Sequence, residues 1–193
     1  FYHVYFATKY ILQKNYYPFI KDVNPFYTDH GINHINRILH KLFRLLEPHL
    51  VLDEGTTPYS RKYINEDKMS KKLNAYELYL LMCSVLWHDI GNLYGRIKHE
   101  NNVRCFFDKA KIFLHDGNSS EWIVKICEAH SGSNAISEKI DRESKNEKEF
   151  TFYPRFLAAL LRFSDELDED KQRIGDRVIT LIQKEKEGFW FFC

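Results

Sequence analysis

Apolar residues recur at helical spacing along nearly the whole chain, and few stretches show the alternation of a half-buried strand. The five prolines lie between these apolar patterns or at their starts, where they do not interrupt a helix. The pattern therefore predicts an all-α fold whose helices are joined by polar connections.

Residue types that start and stop helices mark the predicted boundaries. Thr28 or Asp29 can cap a helix that Pro48 ends. Asn118 and Glu121 have the spacing of a capping box at the start of another helix. That helix covers about 119–130, and the remaining predicted helices cover about 75–89 and 99–114 and a stretch from Pro154 through Leu157 and Leu161 to Asp165 and Asp168.

Two charged segments interrupt the helical pattern and are predicted to be loops. Residues 53–74 contain Gly55 and Pro58 among a series of charges, which indicates a surface excursion. Residues 131–150 are rich in Ser, Asn, Lys and Glu and are predicted to form a mobile loop, with a lid as the alternative. Between residues 178 and 182 the apolar pattern fits a helix or a strand equally well.

The most informative segment is the apolar stretch of residues 78–87, which ends abruptly in His-Asp-Ile-Gly at 88–91. A buried segment that ends on an imidazole and a carboxylate needs partners for both groups, because burying either one unpaired costs several kcal/mol. A metal ion would supply such a partner. The second His-Asp pair, His115-Asp116, is followed by glycine and polar residues and is interpreted as a loop.

Helical spacing also indicates which other metal-ligand side chains face the interior. Residues i, i+4 and i+7 share one face of a helix, so a histidine or aspartate that continues an apolar row is expected to point inward. The positions that pass this test are His34, His88, His99 and His130, and Asp165 with Asp168 as its alternative. The histidines at chain ends, in connections or on a polar helix face are expected to be solvated, namely His3, His40, His49 and His115.

A single inward histidine is more often a core side chain bonded to a backbone carbonyl than a metal ligand. Several such groups on different helices change that balance, because separate burial would need a different hydrogen-bond partner for each one. One metal-binding cluster accounts for all of them. A helical scaffold without a metal is the alternative.

The composition fits a single domain over residues 1–193 and adds no global electrostatic signal. The chain is 44% hydrophobic and 16% aromatic, which is enough to bury a core. Lysine and arginine total 28 against 27 acidic residues, so the formal net charge of +1 predicts no general attraction to nucleic acid or anionic membrane. No apolar run reaches the roughly 20 residues that span a bilayer, and no signal-peptide pattern opens the chain.

The four cysteines, Cys83, Cys105, Cys127 and Cys193, are widely spaced and contain no Cys-x-x-Cys pair. They indicate reduced thiols and a cytoplasmic protein. The chain opens on Phe rather than Met and closes on an aromatic run, so we expect a fragment of a longer protein with fused or partner domains.

The order and surroundings of the inward residues resemble a known family. The H...HD...D signature of HD-domain metal-dependent phosphohydrolases is similar to the series His34, His88-Asp89 and Asp165, which lie on separate predicted helices. The sequence TDHGINH at 28–34 resembles the TDHGxxH opening of one bacterial branch, and LLRFSDELD at 160–168 resembles its LLRxADxLD ending. The resemblance covers about residues 28–170 and favours Asp165 over Asp168 as a ligand.

This resemblance implies an HD-domain helical bundle with a metal site at its centre. Members of the family hydrolyse phosphoesters or phosphoanhydrides, often of nucleotides. Carried over residue by residue, the ligands of one ion are His34, His88, Asp89 and Asp165. Members with two metals add histidines between the HD pair and the last aspartate, and His99 and His130 are the candidates here by position and facing.

Imidazole and carboxylate ligands suit several divalent metals, and manganese or iron is expected first, with Zn, Co, Ni or Mg as alternatives. Asp89 is the expected catalytic residue as well as a ligand, because its two oxygens can bridge two ions or orient the attacking water. The phosphate of the substrate is expected to be held by cationic groups that flank the proposed ligands, namely His30, Arg96 and Lys98.

One motif separates this chain from cyclic-di-nucleotide phosphodiesterases of the HD-GYP type, which usually carry HD-x-GK and a Gly-Tyr-Pro motif. Here Asn92 follows Gly91, and no Gly-Tyr-Pro occurs. The sequence therefore predicts a metal-dependent phosphohydrolase acting on a small phosphorylated substrate, a nucleotide or cyclic nucleotide. The alternative is a catalytically weak, nucleotide-sensing or regulatory HD module within a larger multidomain protein.

Overall fold

The computed structural model describes residues 1–23, 30–46, 51–52, 61–62, 73–95, 97–110, 117–132, 135–147 and 149–168. Over these residues the all-α prediction is confirmed, because strands form only two short antiparallel ladders. The helices are α1 (Tyr2–Asn15), α2 (Tyr17–Val23), α3 (Ile32–Leu46), α4 (Ala75–Trp87), α5 (His99–Ala110), α6 (Gly117–Glu128), α7 (Ala135–Lys139) and α8 (Pro154–Glu166), with a 3₁₀ helix at Ile90–Tyr94. The strands are β1 (Val51–Leu52), paired with β2 (Arg61–Lys62), and β3 (Lys145–Glu147), paired with β4 (Phe150–Phe152).

Helix α4 is the central element of the bundle. Its first turn is fixed by a capping box, in which Glu77 N donates to Asn74 Oδ1 at 2.9 Å and Asn74 N donates to Glu77 Oε2 at 3.1 Å. Ten of its thirteen residues are buried, because α1, α3, α6 and α8 all pack against it. A helix that is apolar on nearly every side is stable only in such an enclosed position.

The surrounding helices turn one apolar stripe each toward α4. In α3 the buried residues include Ile35, Ile38 and Leu42, and in α8 they include Leu157 and Leu161. Fully burying a side chain of this size stabilises the fold by roughly 1.5 to 3 kcal/mol. The stripe on each helix therefore fixes its rotation about its own axis, and with it the direction of the polar residues at its ends.

Helix α6 begins in a different way from the prediction. It starts at Gly117, so Asn118 lies inside the helix and its Nδ2 donates to Glu147 rather than capping the first turn. Glu121 accepts two hydrogen bonds from Arg104, at 2.9 and 3.1 Å. The predicted capping box is wrong because the helix already includes Gly117, so Asn118 has a helical position instead of the N-cap position.

The prediction of a mobile loop over residues 131–150 is also wrong for the described part of that segment. It contains α7 and β3 and reaches into β4. Ile140 and the β4 residue Phe152 are buried and connect this segment to the core. The many polar and charged residues of the segment do not predict this packing. The start of α8 was predicted correctly, because Pro154 occupies the first position of the helix.

Several sequence predictions lie outside the described residues. They concern the cap at Thr28 or Asp29, the stop at Pro48, most of 53–74, the pair His115-Asp116, and residues 178–182. Within the described residues Cys83 and Cys127 are buried free thiols, whereas Cys105 is free and exposed. Each described helix is too short or too polar to cross a bilayer.

Candidate metal centre

The His-Asp pair follows the last turn of α4. His88 N donates to Ser84 O at 2.9 Å, and Nδ1 of the same residue lies 2.9 Å from Val85 O. The last carbonyl groups of a helix lack partners within the helix, so one of them is available to accept from this imidazole. With Nδ1 as the donor, Nε2 of His88 carries the lone pair and lies 3.2 Å from Asp89 Oδ2.

The four proposed ligands of one ion converge at this point. His34 Nε2 lies 3.3 Å from Asp89 Oδ2, 3.3 Å from His88 Nε2 and 3.2 Å from Asp165 Oδ1. His88 Nε2 lies 3.8 Å from Asp165 Oδ1. Neighbouring ligand atoms that each lie about 2.1 Å from a common ion are separated by roughly 3 to 3.5 Å. The spacing of His34, His88 and Asp165 fits one ion, and Asp89, which contacts both His34 and His88, belongs to a second such group with His88 and His130.

A second pair of imidazoles faces the other oxygen of Asp89. His99 Nε2 lies 3.2 Å from Asp89 Oδ1, and His130 Nε2 lies 3.8 Å from the same atom. The two Nε2 atoms are 3.2 Å apart, and Nδ1 of His130 lies 2.5 Å from Cys127 O. His99 opens α5 and His130 follows α6, so the packing of those helices brings the pair to Asp89.

The three candidate substrate-binding residues have different positions. His30 is buried, and its Nδ1 lies 2.5 Å from Asp89 Oδ2, inside the cluster. Lys98 is exposed, has a positive φ of 56°, and immediately precedes His99. Arg96 lies outside the described residues.

The two acidic residues at the end of α8 contact opposite nitrogens of His34. Asp165 reaches Nε2, whereas Asp168 Oδ2 lies 2.7 Å from Nδ1. Arg37 Nε donates to both oxygens of Asp168 at 3.0 Å, and Lys41 Nζ donates to Oδ1. From the sequence, Asp168 is expected only as an alternative ligand, and its contacts with Arg37 and Lys41 are not predicted. The positions of these two cations, three and seven residues after His34 on the same helix, are the feature of the sequence that could have indicated these contacts.

Burial and neighbouring charges shift the pKa values of the residues in the cluster. Burial lowers the pKa of His34, but contacts with Asp165, Asp168 and Asp89 outweigh burial and raise it to about 10. Burial raises the pKa of Asp165, yet the contact with His34 and the nearby His88 lower it to about 2. Near neutral pH the cluster therefore contains an imidazolium between carboxylates.

The remaining members of the cluster are shifted by the same two effects. Burial acts to raise the pKa of Asp89, but the imidazoles of His88 and His30 bring it well below its usual range. Burial, together with His88, lowers the pKa of His130 to about 4. Asp89 is therefore ionised and His130 is neutral near pH 7, which are the protonation states that metal ligands need.

Gly91 brings the second imidazole pair close to the His-Asp turn. A Cβ atom at this position would lie 1.9 Å from the backbone oxygen of His99. Only a residue without a side chain permits this approach between the 3₁₀ helix and the start of α5. The short distance between His99 and Asp89 therefore depends on Gly91.

The donor set and one buried atom fit a metal ion. Asp165 Oδ1 is buried and makes no hydrogen bond of good geometry among the described residues, although His34 Nε2 lies 3.2 Å away. A buried carboxylate oxygen in this situation is costly, and a cation relieves the cost. Imidazole nitrogens and carboxylate oxygens together suit first-row divalent metals. The cluster is a buried His/Asp group that can hold a metal ion.

Comparison with known proteins identifies a family. The family model described as HD-CE matches residues 25–190, a span that contains every residue of the cluster. No curated protein and no solved structure matches the chain significantly.

Proposed function

The chain belongs to the HD-CE family, and from that premise we propose that it is a metal-dependent phosphohydrolase. The reaction is cleavage of a phosphoester or phosphoanhydride in a nucleotide or cyclic nucleotide. One observation carries the proposal: ligand atoms of His34, His88 and Asp165 form a group that can hold a metal ion, and Asp89 Oδ2 lies 3.2 to 3.3 Å from Nε2 of both histidines.

These four residues hold the ion in our proposal, with manganese or iron expected first. A divalent ion in such a site lowers the pKa of water and polarises a phosphoryl oxygen. The protein contributes ligands with fixed orientation, because Nδ1 of His34 and Nδ1 of His88 each contact an acceptor of the protein. Burial excludes bulk water from the ligands and strengthens every charge interaction at the site.

Asp89 is the catalytic residue in this proposal. Its Oδ2 faces His34 and His88, while its Oδ1 faces His99. A carboxylate with imidazoles on both sides is placed to bridge two ions, with His99 and His130 as ligands of the second. As an ionised acceptor it also orients the attacking water, whose proton it can accept in a hydrogen bond.

Three cationic or potentially cationic groups are assigned to the substrate's phosphate: His30, Arg96 and Lys98. Support for His30 comes from its contact with Asp89, which puts it within the same cluster. Lys98 is supported by its exposure next to His99, where a flexible ammonium can reach an incoming anion. Arg96 is assigned from its sequence position beside Lys98.

Hydrolysis assays with matched variants test this function. The purified chain would be incubated with Mn²⁺ and nucleoside triphosphates, cyclic nucleotides, cyclic dinucleotides and a generic phosphodiester. We expect turnover on at least one substrate and a loss of more than about 100-fold in Asp89→Ala, which removes the proposed bridging carboxylate. Asp141→Asn is the matched control, because the Asp141 side chain is 81% exposed and pairs only weakly with Lys145 at 3.5 Å.

The outcomes separate enzyme from regulatory module. Metal binding without turnover on any substrate contradicts the hydrolase and favours a nucleotide-sensing HD module. Turnover that survives Asp89→Ala assigns the activity to another site or to a contaminant. Absence of metal after metal-replete expression favours a helical scaffold in which the buried histidines and aspartates pair with one another.

A further inference from the structure

Asp168 is a fully buried carboxylate that ligates nothing in the proposed centre. Its side chain is 0% exposed, and its Oδ2 lies 2.7 Å from His34 Nδ1. The other nitrogen of that imidazole faces Asp89 and Asp165. Asp168 therefore contacts the metal cluster through the Nδ1 side of His34.

We propose that Asp168 is a positioning residue that holds His34 as the Nδ1–H tautomer and so presents Nε2 to the metal. This inference rests on the proposed function, because it assumes that His34 is a ligand. It adds a residue that acts through another one, together with the two cations that hold it in place.

The proposal follows from the donor and acceptor capacity of the groups. A neutral imidazole has one N–H donor and one acceptor nitrogen, and an ionised carboxylate can only accept. When the ring binds an ion through Nε2 it is neutral, and the contact with Asp168 then keeps its one proton on Nδ1. The lone pair is then on Nε2, the atom that lies 3.2 to 3.3 Å from the other proposed ligands.

His34 needs this help because of its place in its helix. His88 and His130 follow the ends of α4 and α6, where Nδ1 can donate to the carbonyl groups of Val85 and Cys127. Those carbonyls are available because the last turn of a helix leaves them without partners within the helix. His34 lies in the first turn of α3, where N–H groups rather than carbonyls are left over. An acceptor has to come from another element.

Arg37 and Lys41 complete the arrangement. Both belong to α3 and both contact the carboxylate of Asp168, Arg37 through Nε at 3.0 Å to each oxygen. Both cations donate to oxygens of this buried carboxylate and compensate its negative charge. They also restrict its rotation, which fixes the plane of the hydrogen bond to His34.

The two acids of the LLRFSDELD segment therefore act on opposite sides of one ring. Asp165 contacts Nε2 of His34 as a member of the ligand cluster. Asp168, three residues later, contacts Nδ1 and orients the ring. Their spacing places one acid on the last turn of α8 and the other in the turn that follows it.

Metal affinity and ring-nitrogen spectra of the full chain test the role. Zn²⁺ is the diamagnetic probe, and its affinity would be measured by competition with a chelator. We expect Asp168→Asn to lower the affinity roughly 10- to 100-fold, as removal of an outer-shell partner typically does. Lys41→Gln is expected to lower it less, because Arg37 still contacts Asp168. Asp141→Asn, at an exposed site, should match the parent.

Long-range ¹H–¹⁵N spectra of the Zn²⁺-loaded proteins give a readout that a merely structural role would not move. In the parent, His34 should show a protonated Nδ1 and a metal-bound Nε2. In Asp168→Asn the His34 signals should shift or broaden while those of His88 keep the parent pattern. Should the asparagine variant fail to fold, Lys41→Gln provides the same two measurements on a carboxylate that remains in place.

The outcomes distinguish this inference from the proposed function. If the parent binds Zn²⁺ at the cluster and both variants bind equally tightly with unchanged His34 signals, the role of Asp168 is refuted and the metal centre stands. If the parent binds no Zn²⁺ at the cluster, both are refuted. A loss of affinity confined to the Asp168 and Lys41 variants supports the proposal.

Discussion

His99 Nε2 lies 3.2 Å from Asp89 Oδ1, the oxygen of that carboxylate that faces away from His34. One carboxylate thus serves two groups of imidazoles. In this arrangement the removal of His99 should affect one side of the cluster and spare the other.

Metal stoichiometry tests this division. We expect the parent to bind two Mn²⁺ per chain and His99→Ala to bind one, because His34, His88, Asp89 and Asp165 are unchanged in the variant. Elemental analysis after equilibrium dialysis measures the ratio. His40→Ala is the control, since His40 is an exposed histidine of the same fold. An unchanged ratio in His99→Ala would show that His99 binds no ion.

Replacement of Gly91 should damage the same side of the cluster through the backbone. A Cβ 1.9 Å from the oxygen of His99 cannot be accommodated unless the 3₁₀ helix or α5 shifts. We expect Gly91→Ala to lower the free energy of unfolding by about 1 to 3 kcal/mol, the typical cost of overpacking. Urea denaturation of the metal-free protein provides the measurement.

Gly117→Ala is the matched glycine control. A Cβ at Gly117 meets no atom within 4 Å, and the residue begins α6. The change should be neutral or stabilise the protein by up to about 1 kcal/mol, because alanine lowers the entropy of the unfolded chain. Equal destabilisation by both substitutions would contradict the steric explanation for Gly91.

The inward direction of the ligands could be predicted from the sequence because it depends only on helical period. His34 lies on the same helix face as Ile38 and Leu42. His88 lies on the same face as Leu81 and Val85, and all of these residues are buried. Periodicity acts within one helix, so it gives the facing of a side chain without any knowledge of its neighbours.

The contacts of Asp168 could not be predicted in this way. Helix α8 ends at Glu166, and the next turn carries Asp168 out of the helical register. Its partners Arg37 and Lys41 are more than 125 positions away in the chain. Glu121 presents a similar problem, because its partner Arg104 lies on another helix and local spacing does not reveal it.

Metal binding should release protons and should strengthen with rising pH. The pKa of His34 in the metal-free protein is raised to about 10, so its ring is protonated at neutral pH and must lose a proton before Nε2 can bind. Asp165, whose pKa is lowered to about 2, is already ionised and contributes no proton. Apparent affinity should therefore rise by up to about tenfold per pH unit below pH 10.

Calorimetry in two buffers of different ionisation enthalpy measures this proton count. We expect about one proton released for the ion bound by His34. His130, with a pKa lowered to about 4, should add none near pH 7. A pH-independent affinity with no proton release would contradict the charge state assigned to His34.

The stability of the metal-free protein should depend on pH through the same residue. A pKa raised from 6.5 to about 10 stabilises the folded state fully below pH 6.5, and that contribution is lost as the pH rises through 10. The difference in unfolding free energy between the parent and His34→Gln should therefore shrink from pH 6.5 to 10. A difference that stays constant from pH 6.5 to 10 would contradict the link between the protonation of His34 and the stability of the fold.

The cap of α4 should affect stability without affecting the metal. Asn74→Ala removes the side-chain acceptor for Glu77 N and should cost about 1 kcal/mol of unfolding free energy. Leu78→Ala, at a position 44% exposed on the same helix, should cost less. Denaturation curves and metal analysis are the measurements, and a loss of bound metal in Asn74→Ala would show that the capped end and the His-Asp end are coupled.

Anomalous X-ray diffraction from crystals grown with Mn²⁺ tests the metal centre most directly. The proposal predicts a peak about 2.1 Å from Nε2 of His34 and of His88 and from carboxylate oxygens of Asp89 and Asp165. Metal-replete crystals with no peak between these four side chains would contradict it.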